Sequence, residues 1–380
     1  MLESVLLAGG GTAGHVNPLL AVADELRDRD PATVITVLGT AEGLEAELVP
    51  AHGYELVPVP RVPLPRRPTP DWFRLPGRLR DAVDAADAAI EASGARVVVG
   101  FGGYVATPAY LAARRRRVPV VVHEQNARPG LANRLGARWA AAVAVTFPGT
   151  ALPHAQVTGL PLRPDVLALA AARAADAAGE RRRAAAELGL DPDLPTLLVT
   201  GGSLGAQSLN TAVSGAAGDL LHAGVQVLHL TGRGKAEPVR AAVAAAARGG
   251  LTAQAGRYQA REYLTRMQLA LAVADLVVAR SGAGTVSELA ALGIPAVYVP
   301  LPIGNGEQRL NARPVVDAGG GLLVADADLT PERVRDEVLP LLTDPARLSA
   351  MAGAAASVGV VDAAARVADL VEGAAEGVRA

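Results

Sequence analysis

The feature that most constrains this chain is a pattern that starts twice. "VLLAGGGTAGHVNPLLA" opens the first half, and "TLLVTGGSLGAQSLNTAV", residues 196–213, opens the second. Each reads as an apolar strand, a glycine-rich turn and a helix. Strand-like runs then recur along each half. "SVLLAGG", "TVITVLG", "ARVVVGFGG" and "VPVVVHEQ" lie in the first, and "PTLLVTGGS", "VQVLHLTG", "ADLVVARSG" and "IPAVYVPLP" in the second. Continuous apolar runs predict strands covered on both faces of a parallel sheet. Alanine-rich stretches such as 81–92 and 240–247 predict the intervening helices. The alternation predicts an α/β chain with doubly wound parallel sheets.

At 380 residues the chain is too long for one typical core, and 50% hydrophobic content supplies two. Between the two starts lies "GLPLRPD" (159–165), a proline-bearing connector, followed by an Ala/Arg-rich helical stretch. The simplest architecture is two Rossmann-like domains facing each other across a cleft. Ligands of such sheets bind beyond the carboxyl ends of the strands, so the glycine turns are expected to face that cleft.

Composition removes several classes. A formal net charge of -2 argues against a general nucleic-acid binder. With no cysteine there is no disulfide, thiolate metal site or cysteine nucleophile. The only lysine, Lys235, is followed by Ala236, so the G-K-[ST] of a P-loop is missing. Glu3 stands where an export signal needs positive charge, and no apolar run has the length of a spanning helix. A cytoplasmic protein is expected, with any membrane contact peripheral.

Gly9, Gly11 and Gly14 match the G-x-G-x-x-G spacing of dinucleotide sites. That reading also needs an acid at the end of the second strand to hold a ribose. The second strand, "TVITVLGT", ends in Gly39 and Thr40, and Glu42 comes late. What survives is the physics of a helix N-terminus, whose unpaired N–H groups and positive dipole end suit a phosphate. "GGGTAG" and "GGSLGAQ" both qualify, the latter adding the Ser203 hydroxyl, and "RSGAGTVSELAALGIP" (280–295) is a third such turn. Glu288 in its helix either answers the dipole or accepts hydrogen bonds from two vicinal ribose hydroxyls. Three anion-friendly turns in one chain point to a diphosphate ligand such as a nucleotide sugar.

Six stretches in order resemble the MurG family across essentially the whole chain. They are "GGGTAGHVNPLLAVA", "GFGGYVATPA", "HEQNARPGLANR", "GGSLGAQSLN", "RSGAGTVSELAALGIPAVYVPLP" and "EQRLNA". That family is the inverting transferase that adds N-acetylglucosamine to the lipid-linked muramyl-pentapeptide precursor of peptidoglycan. The use of arginine over lysine and "PIGNGEQRLNA" look like its actinobacterial branch. The resemblance implies the GT-B architecture: an acceptor domain over 1–160, a donor domain over 161–355, and a helical end, 356–380, packing back on the first. It implies UDP-N-acetylglucosamine as donor, no cofactor, and a membrane-borne acceptor at the cytoplasmic face. By motif, Ser203 meets the donor diphosphate and Leu264 lies against uracil. Ala283, Gly284, Thr285, Val286 and Ser287 line the same pocket, and Glu288 binds the ribose. Gln308 and Asn311 reach the sugar, while Thr12, Ala13, Gly14, Asn126 and Arg163 complete the site.

Some positions depart from the family pattern. Glu307 stands where many relatives carry the first of two glutamines, and a carboxylate accepts but does not donate. Leu204 replaces a glutamine, Leu160 an asparagine, and Ala13 a glycine. For the reaction, His15 is the candidate general base, with a phosphate or loop contact as its alternative. His123 and Glu124 read either as a second acid/base pair or as a brace at a strand end. Asp326 and Asp328 form a D-x-D, read here as a helix start before "LTPERV" and not as a metal site. Residues 61–80, "RVPLPRRPTPDWFRLPGRLR", read equally as a packed loop and as a membrane-surface patch. Two other functions share the pattern: a nucleotide-sugar 2-epimerase, and a non-catalytic membrane scaffold.

Overall fold

Every residue of β1 (Ser4–Ala8) is buried, and successive side chains serve opposite faces. Val5 and Leu7 join a core with Val16, Leu19 and Leu26, whereas Leu6 and Ala8 join another with Ala86, Ile90 and Tyr110. Such a strand must lie inside a sheet covered on both sides. The structure, a computed structural model, describes residues 2–62, 71–202, 205–248 and 250–377, without the side chains of residues 71–74 and 253.

The chain forms two domains. The first holds residues 1–163 and 360–380, the second 164–359. In the first, β1 is followed by β2 (Val34–Gly39), β3 (Glu55–Pro58), β4 (Val97–Gly100), β5 (Val120–Glu124), β6 (Ala142–Val145) and β7 (Ala155–Val157). They build one parallel sheet in the order β3-β2-β1-β4-β5-β6-β7. The second has β8 (Thr196–Thr200), β9 (Gln226–Leu230), β10 (Tyr258–Arg261), β11 (Leu276–Ala279), β12 (Ala296–Tyr298) and β13 (Gly321–Leu323). Their order, β10-β9-β8-β11-β12-β13, repeats the first sheet's logic. Strand order therefore reverses beside β1 in one sheet and beside β8 in the other. Those switch points are where doubly wound sheets open a crevice at the strands' carboxyl ends. With the solved relatives below, this is the GT-B fold class.

Helix Ala13–Arg29 turns Val16, Leu19, Leu20, Ala23 and Leu26 inward at helical spacing. Its Arg29 reaches helix Ala363–Glu376, with Nη1 2.7 Å from Asp369 and 2.8 Å from Glu372. That helix buries Val367, Ala368, Val371 and Ala375 on the same core. One face of the first sheet is thus finished by chain that returns after the second domain.

Residues 71–93 form one helix despite Pro76, so part of the 61–80 segment is helical. Prolines 63, 65, 68 and 70 hide that start from a periodicity reading. Residues 63–70 lie outside the described residues. Among the described residues, no helix is long and apolar enough to cross a membrane.

At the first switch point two turns meet backbone to backbone. Gly103 has φ +80°, and a Cβ there would lie 2.6 Å from Gly10 O. Left-handed backbone alone costs an L-residue about 1–2 kcal/mol. Gly103→Ala is therefore expected to lower the unfolding temperature of the first domain, because strain and clash add. Calorimetry checks this, and an unaltered melting profile would show that the two turns are not tightly seated.

Candidate functional site

On the first domain, the turn after β1 leads into helix Ala13–Arg29 with Thr12 as N-cap, in extended conformation. Thr12, Ala13 and Gly14 are exposed, and their position at a helix start leaves first-turn N–H groups facing solvent. Thr12 Oγ1 lies 3.0 Å from His15 Nδ1. His15 is half-buried, and a Cβ at Gly102 would lie 3.3 Å from its Nε2. Burial pushes the His15 pKa below its ordinary value, against the opposing pull of a hydrogen bond with the Gly10 backbone and the charge of Glu45. The ring is therefore neutral at pH 7, with one nitrogen a donor and the other an acceptor.

Glu45 was not among the residues expected from sequence, which singled out Glu42. It is fully buried beneath the turn. Its Oε2 accepts from Gly11 N at 2.8 Å, and its Oε1 accepts from Thr40 N at 2.9 Å and Thr40 Oγ1 at 2.7 Å. Burial would raise its pKa, but these donors outweigh burial and hold it below the usual carboxylate range. Gly39 and Gly43 crowd around it: a Cβ at Gly43 would lie 2.1 Å from Glu45 Oε2. Above it opens a pocket of about 100 Å³, lined by the glycine turn, Thr40, Glu42, Arg61 and Tyr104. Arg61 stacks over the Tyr104 ring, 4.8 Å from its centroid.

The "HEQN" stretch closes β5. His123 is fully buried; its Nε2 lies 3.1 Å from Gly159 O and its Nδ1 3.1 Å from Gln125 Nε2. With Gly159 O as acceptor, Nε2 carries the proton and Nδ1 accepts. Burial pushes its pKa down to about 4. Glu124 is also buried, which raises its pKa, and it accepts from Asn126 N, Gly130 N and Asn133 Nδ2 at 2.9–3.0 Å. Both side chains are spent on structure, which favours the brace reading over an acid/base pair. Glu124 fixes the loop that carries the half-buried Asn126. His123 fixes Gly159, four residues before the half-buried Arg163.

On the second domain, Gly201, Gly202 and Gly205 form the turn after β8. Ser203 and Leu204 lie outside the described residues. Gly205 has φ +66°, and a Cβ there would lie 2.0 Å from Thr231 O. The turn after β11 leads through Gly282, an extended N-cap, into helix Ala283–Ala291. Ala283 and Val286 are buried, and Gly284, Thr285, Ser287 and Glu288 are half-buried. Glu288 stands four residues after Gly284, hence on the same helix face, about 6 Å deeper along the axis. Leu264 is half-buried in the loop after β10, next to Tyr263, over which Arg233 stacks at 5.5 Å.

Gln308 and Asn311 sit on helix Glu307–Asp317. Gln308 Oε1 accepts from Leu301 N at 2.9 Å, which leaves its amide N–H groups to donate outward. Asn311 is fully buried, and its Nδ2 donates to Ser281 O at 3.3 Å, so it supports the β11 turn from beneath. Sequence reasoning also missed Arg280. Its guanidinium donates to Asp326 Oδ1 at 2.5 Å, to Ser208 Oγ at 3.0 Å, and to Val299 O and Pro300 O at 3.1 Å. Asp326 is thereby committed to an ion pair, and Asp326–Asp328 form a single tight turn before the Thr330 cap of the next helix.

The glycosyltransferase family 28 N-terminal domain matches residues 5–145, and the family 28 C-terminal domain matches residues 196–367. A relative from Clavibacter michiganensis subsp. michiganensis is 59% identical over 367 residues, covering 96% of this chain and 95% of its own length. One from Streptomyces coelicolor is 54% identical over 361 residues, covering 94% of each. Both are named UDP-N-acetylglucosamine--N-acetylmuramyl-(pentapeptide) pyrophosphoryl-undecaprenol N-acetylglucosamine transferase. Among solved structures, MurG of Acinetobacter baumannii superposes with TM-score 0.77 at 28% identity, covering 98% of this chain and 99% of its own. A UDP-GlcNAc 2-epimerase from Neisseria meningitidis, at TM-score 0.67 and 14% identity over 97% of this chain and 100% of its own, shares the fold alone.

The buried histidines make a pH prediction. His123 is held down to about 4, and His229, buried between Tyr258 and Asn210, to about 3, both by burial. A depressed histidine pKa means that the unfolded chain binds more protons. The stabilisation is full above about pH 6.5, the unfolded value, and drains as pH falls from there toward 4. Melting temperature should therefore decline on acidification from pH 7 to 5, with both rings still neutral by NMR. A resonance from either ring that titrates with a midpoint near 6.5 would overturn the assignment.

Proposed function

The chain belongs to the MurG family within glycosyltransferase family 28, and we infer that it transfers N-acetylglucosamine from UDP-N-acetylglucosamine to the muramyl 4-hydroxyl of undecaprenyl-pyrophosphoryl-muramyl-pentapeptide. The observation that carries this reading is near-full-length identity above half to transferases of that name. The identity to 2-epimerases is far lower and speaks only for the fold.

The donor belongs on the second domain. Its diphosphate is met by the turn after β8, with the Ser203 hydroxyl, and by the N–H groups at the start of helix Ala283–Ala291. Glu288, one turn deeper, accepts the two ribose hydroxyls. Leu264 lies against the uracil. Gln308 donates to the sugar, and Asn311 keeps the Ser281 turn in place beneath it. Thr12, Ala13, Gly14, Asn126 and Arg163 are substrate-binding residues of the first domain.

The acceptor belongs on the first domain. His15, neutral at pH 7, removes the proton as the 4-hydroxyl oxygen bonds to C1 of the sugar. The C1–oxygen bond to the β-phosphate breaks on the opposite side, so the anomeric centre inverts and UDP leaves. Helix N-termini and Arg163 stabilise the charge that develops on the leaving diphosphate. No step in this scheme calls for a metal or cofactor. The lipid-borne acceptor places the enzyme peripherally at the cytoplasmic membrane face, held by the 61–80 segment.

Glu288→Ala should remove two charge-assisted hydrogen bonds, each worth roughly 1.5–3 kcal/mol. Donor KM should rise at least about tenfold while melting temperature stays near wild type. An unchanged KM with lowered melting temperature would make Glu288 a helix-stabilising residue only.

His15→Ala should lower kcat by about a hundredfold or more with donor binding intact, and should erase the acidic limb of the pH–rate profile. A variant that keeps that limb and most of its turnover places the base elsewhere.

Replacing Trp72 and Phe73 by Ser, and Arg74 and Arg78 by Glu, should abolish sedimentation with anionic vesicles. Activity on a water-soluble acceptor should survive. Unaltered vesicle binding would leave the segment without a membrane role.

A further inference from the structure

The turn after β1 has the glycine spacing of a phosphate cradle, but its chemistry differs. In such a cradle the backbone N–H groups are left open for the anion. Here the Gly11 N–H is already bonded, at 2.8 Å, to the carboxylate of Glu45. Glu45 is fully buried and held on its other oxygen by the backbone and hydroxyl of Thr40, at the end of β2. The glycines around it exist to make room. A Cβ at Gly10 would lie 2.3 Å from Glu45 Oε1, at Gly39 2.6 Å from its Cγ, and at Gly43 2.1 Å from Oε2. A buried carboxylate in that position opposes a phosphate directly above it and locks Gly11 at φ +86°. The next residue is Thr12, the N-cap whose hydroxyl lies 3.0 Å from His15 Nδ1.

We propose that Glu45 is a positioning residue for the transfer reaction: by clamping Gly11 to the end of β2 it sets the N-cap geometry of Thr12 and, through it, the orientation of His15. This rests on the reading of His15 as the base. The clamp turns a phosphate-type turn into a mount for an imidazole. The buried charge also favours the protonated ring formed as the acceptor hydroxyl gives up its proton, since Glu45 is the charged group whose field acts on His15.

Glu45→Gln tests the proposal in the full-length protein. The amide presents N–H groups where Gly11 and Thr40 already donate, so the clamp loses one side at nearly constant volume. Expected are a fall in kcat of about ten- to a hundredfold and altered chemical shifts and titration of the His15 ring by NMR. Thr40→Val, which removes only the hydroxyl donor, should move kcat and the ring resonances the same way by less, and it decides the matter if Glu45→Gln does not fold. In the His15→Ala background, Glu45→Gln should cost nothing more. Unchanged His15 resonances, or a kcat loss that adds in full to that of His15→Ala, would overturn the proposal. If His15→Ala alone keeps its turnover, the base assignment fails, and the His15 resonances still decide whether Glu45 orients the ring.

Discussion

The contact on which the first domain's site depends is a backbone-to-backbone approach at its switch point. The turns after β1 and β4 come so close that Gly10 O would lie 2.6 Å from any Cβ at Gly103, while Gly102 leaves room for the His15 ring. Side chains at these positions would push the turns apart and swing the start of helix Ala13–Arg29 away. The sheet supplies the rigidity behind the contact. β1 is fully buried and paired on both sides, so its carboxyl end is a fixed point from which the turn projects.

The second domain reaches comparable rigidity by different means. Its glycine turn is pressed on Thr231 O through Gly205, and its β11 turn is held from below by polar side chains. Arg280 gathers the ends of β11 and β12, helix Gln207–Gly215 and Asp326 into one network, and Asn311 holds Ser281 O. Hydrogen-bonded networks of this kind orient a site because each member loses more by moving than by staying. The Asp-x-Asp at 326–328 illustrates the point. Two carboxylates spaced like a metal site become, with an arginine 2.5 Å from one of them, part of a support.

Which parts of this were legible in the sequence follows from burial. β1, β2, β4, β5, β8, β9, β11 and β12 were visible because two-faced burial writes a continuous apolar run. β3, β7, β10 and β13 lie toward the sheet margins, with mostly half-exposed or exposed residues, as in "ELVP" and "AQV". They carry no such run. β6 is "AVAV" inside an alanine-rich stretch, a composition that reads as helix. Helix Ala283–Ala291 and the place of Glu288 on it were legible because a helix N-terminus and a carboxylate one turn on leave a local pattern. Glu45 and Arg280 were not, because their roles come from partners distant in sequence: Gly11 is 34 residues from Glu45, and Asp326 is 46 from Arg280.

The two glycine turns show how far a shared pattern constrains chemistry. Both follow the first strand of a doubly wound sheet, both run into a helix, and both contain left-handed glycines, Gly11 in the first and Gly202 and Gly205 in the second. What separates them is what lies underneath. Beneath the first sits a buried carboxylate that accepts a turn N–H and opposes a second anion. At the second, the neighbour pressed against Gly205 is the carbonyl of Thr231, a dipole rather than a full charge. A net charge opposes a diphosphate far more strongly than a single carbonyl dipole does. The same geometry can therefore mount a histidine on one domain and receive a phosphate on the other. The residue that decides between them lies outside the glycine motif in both cases.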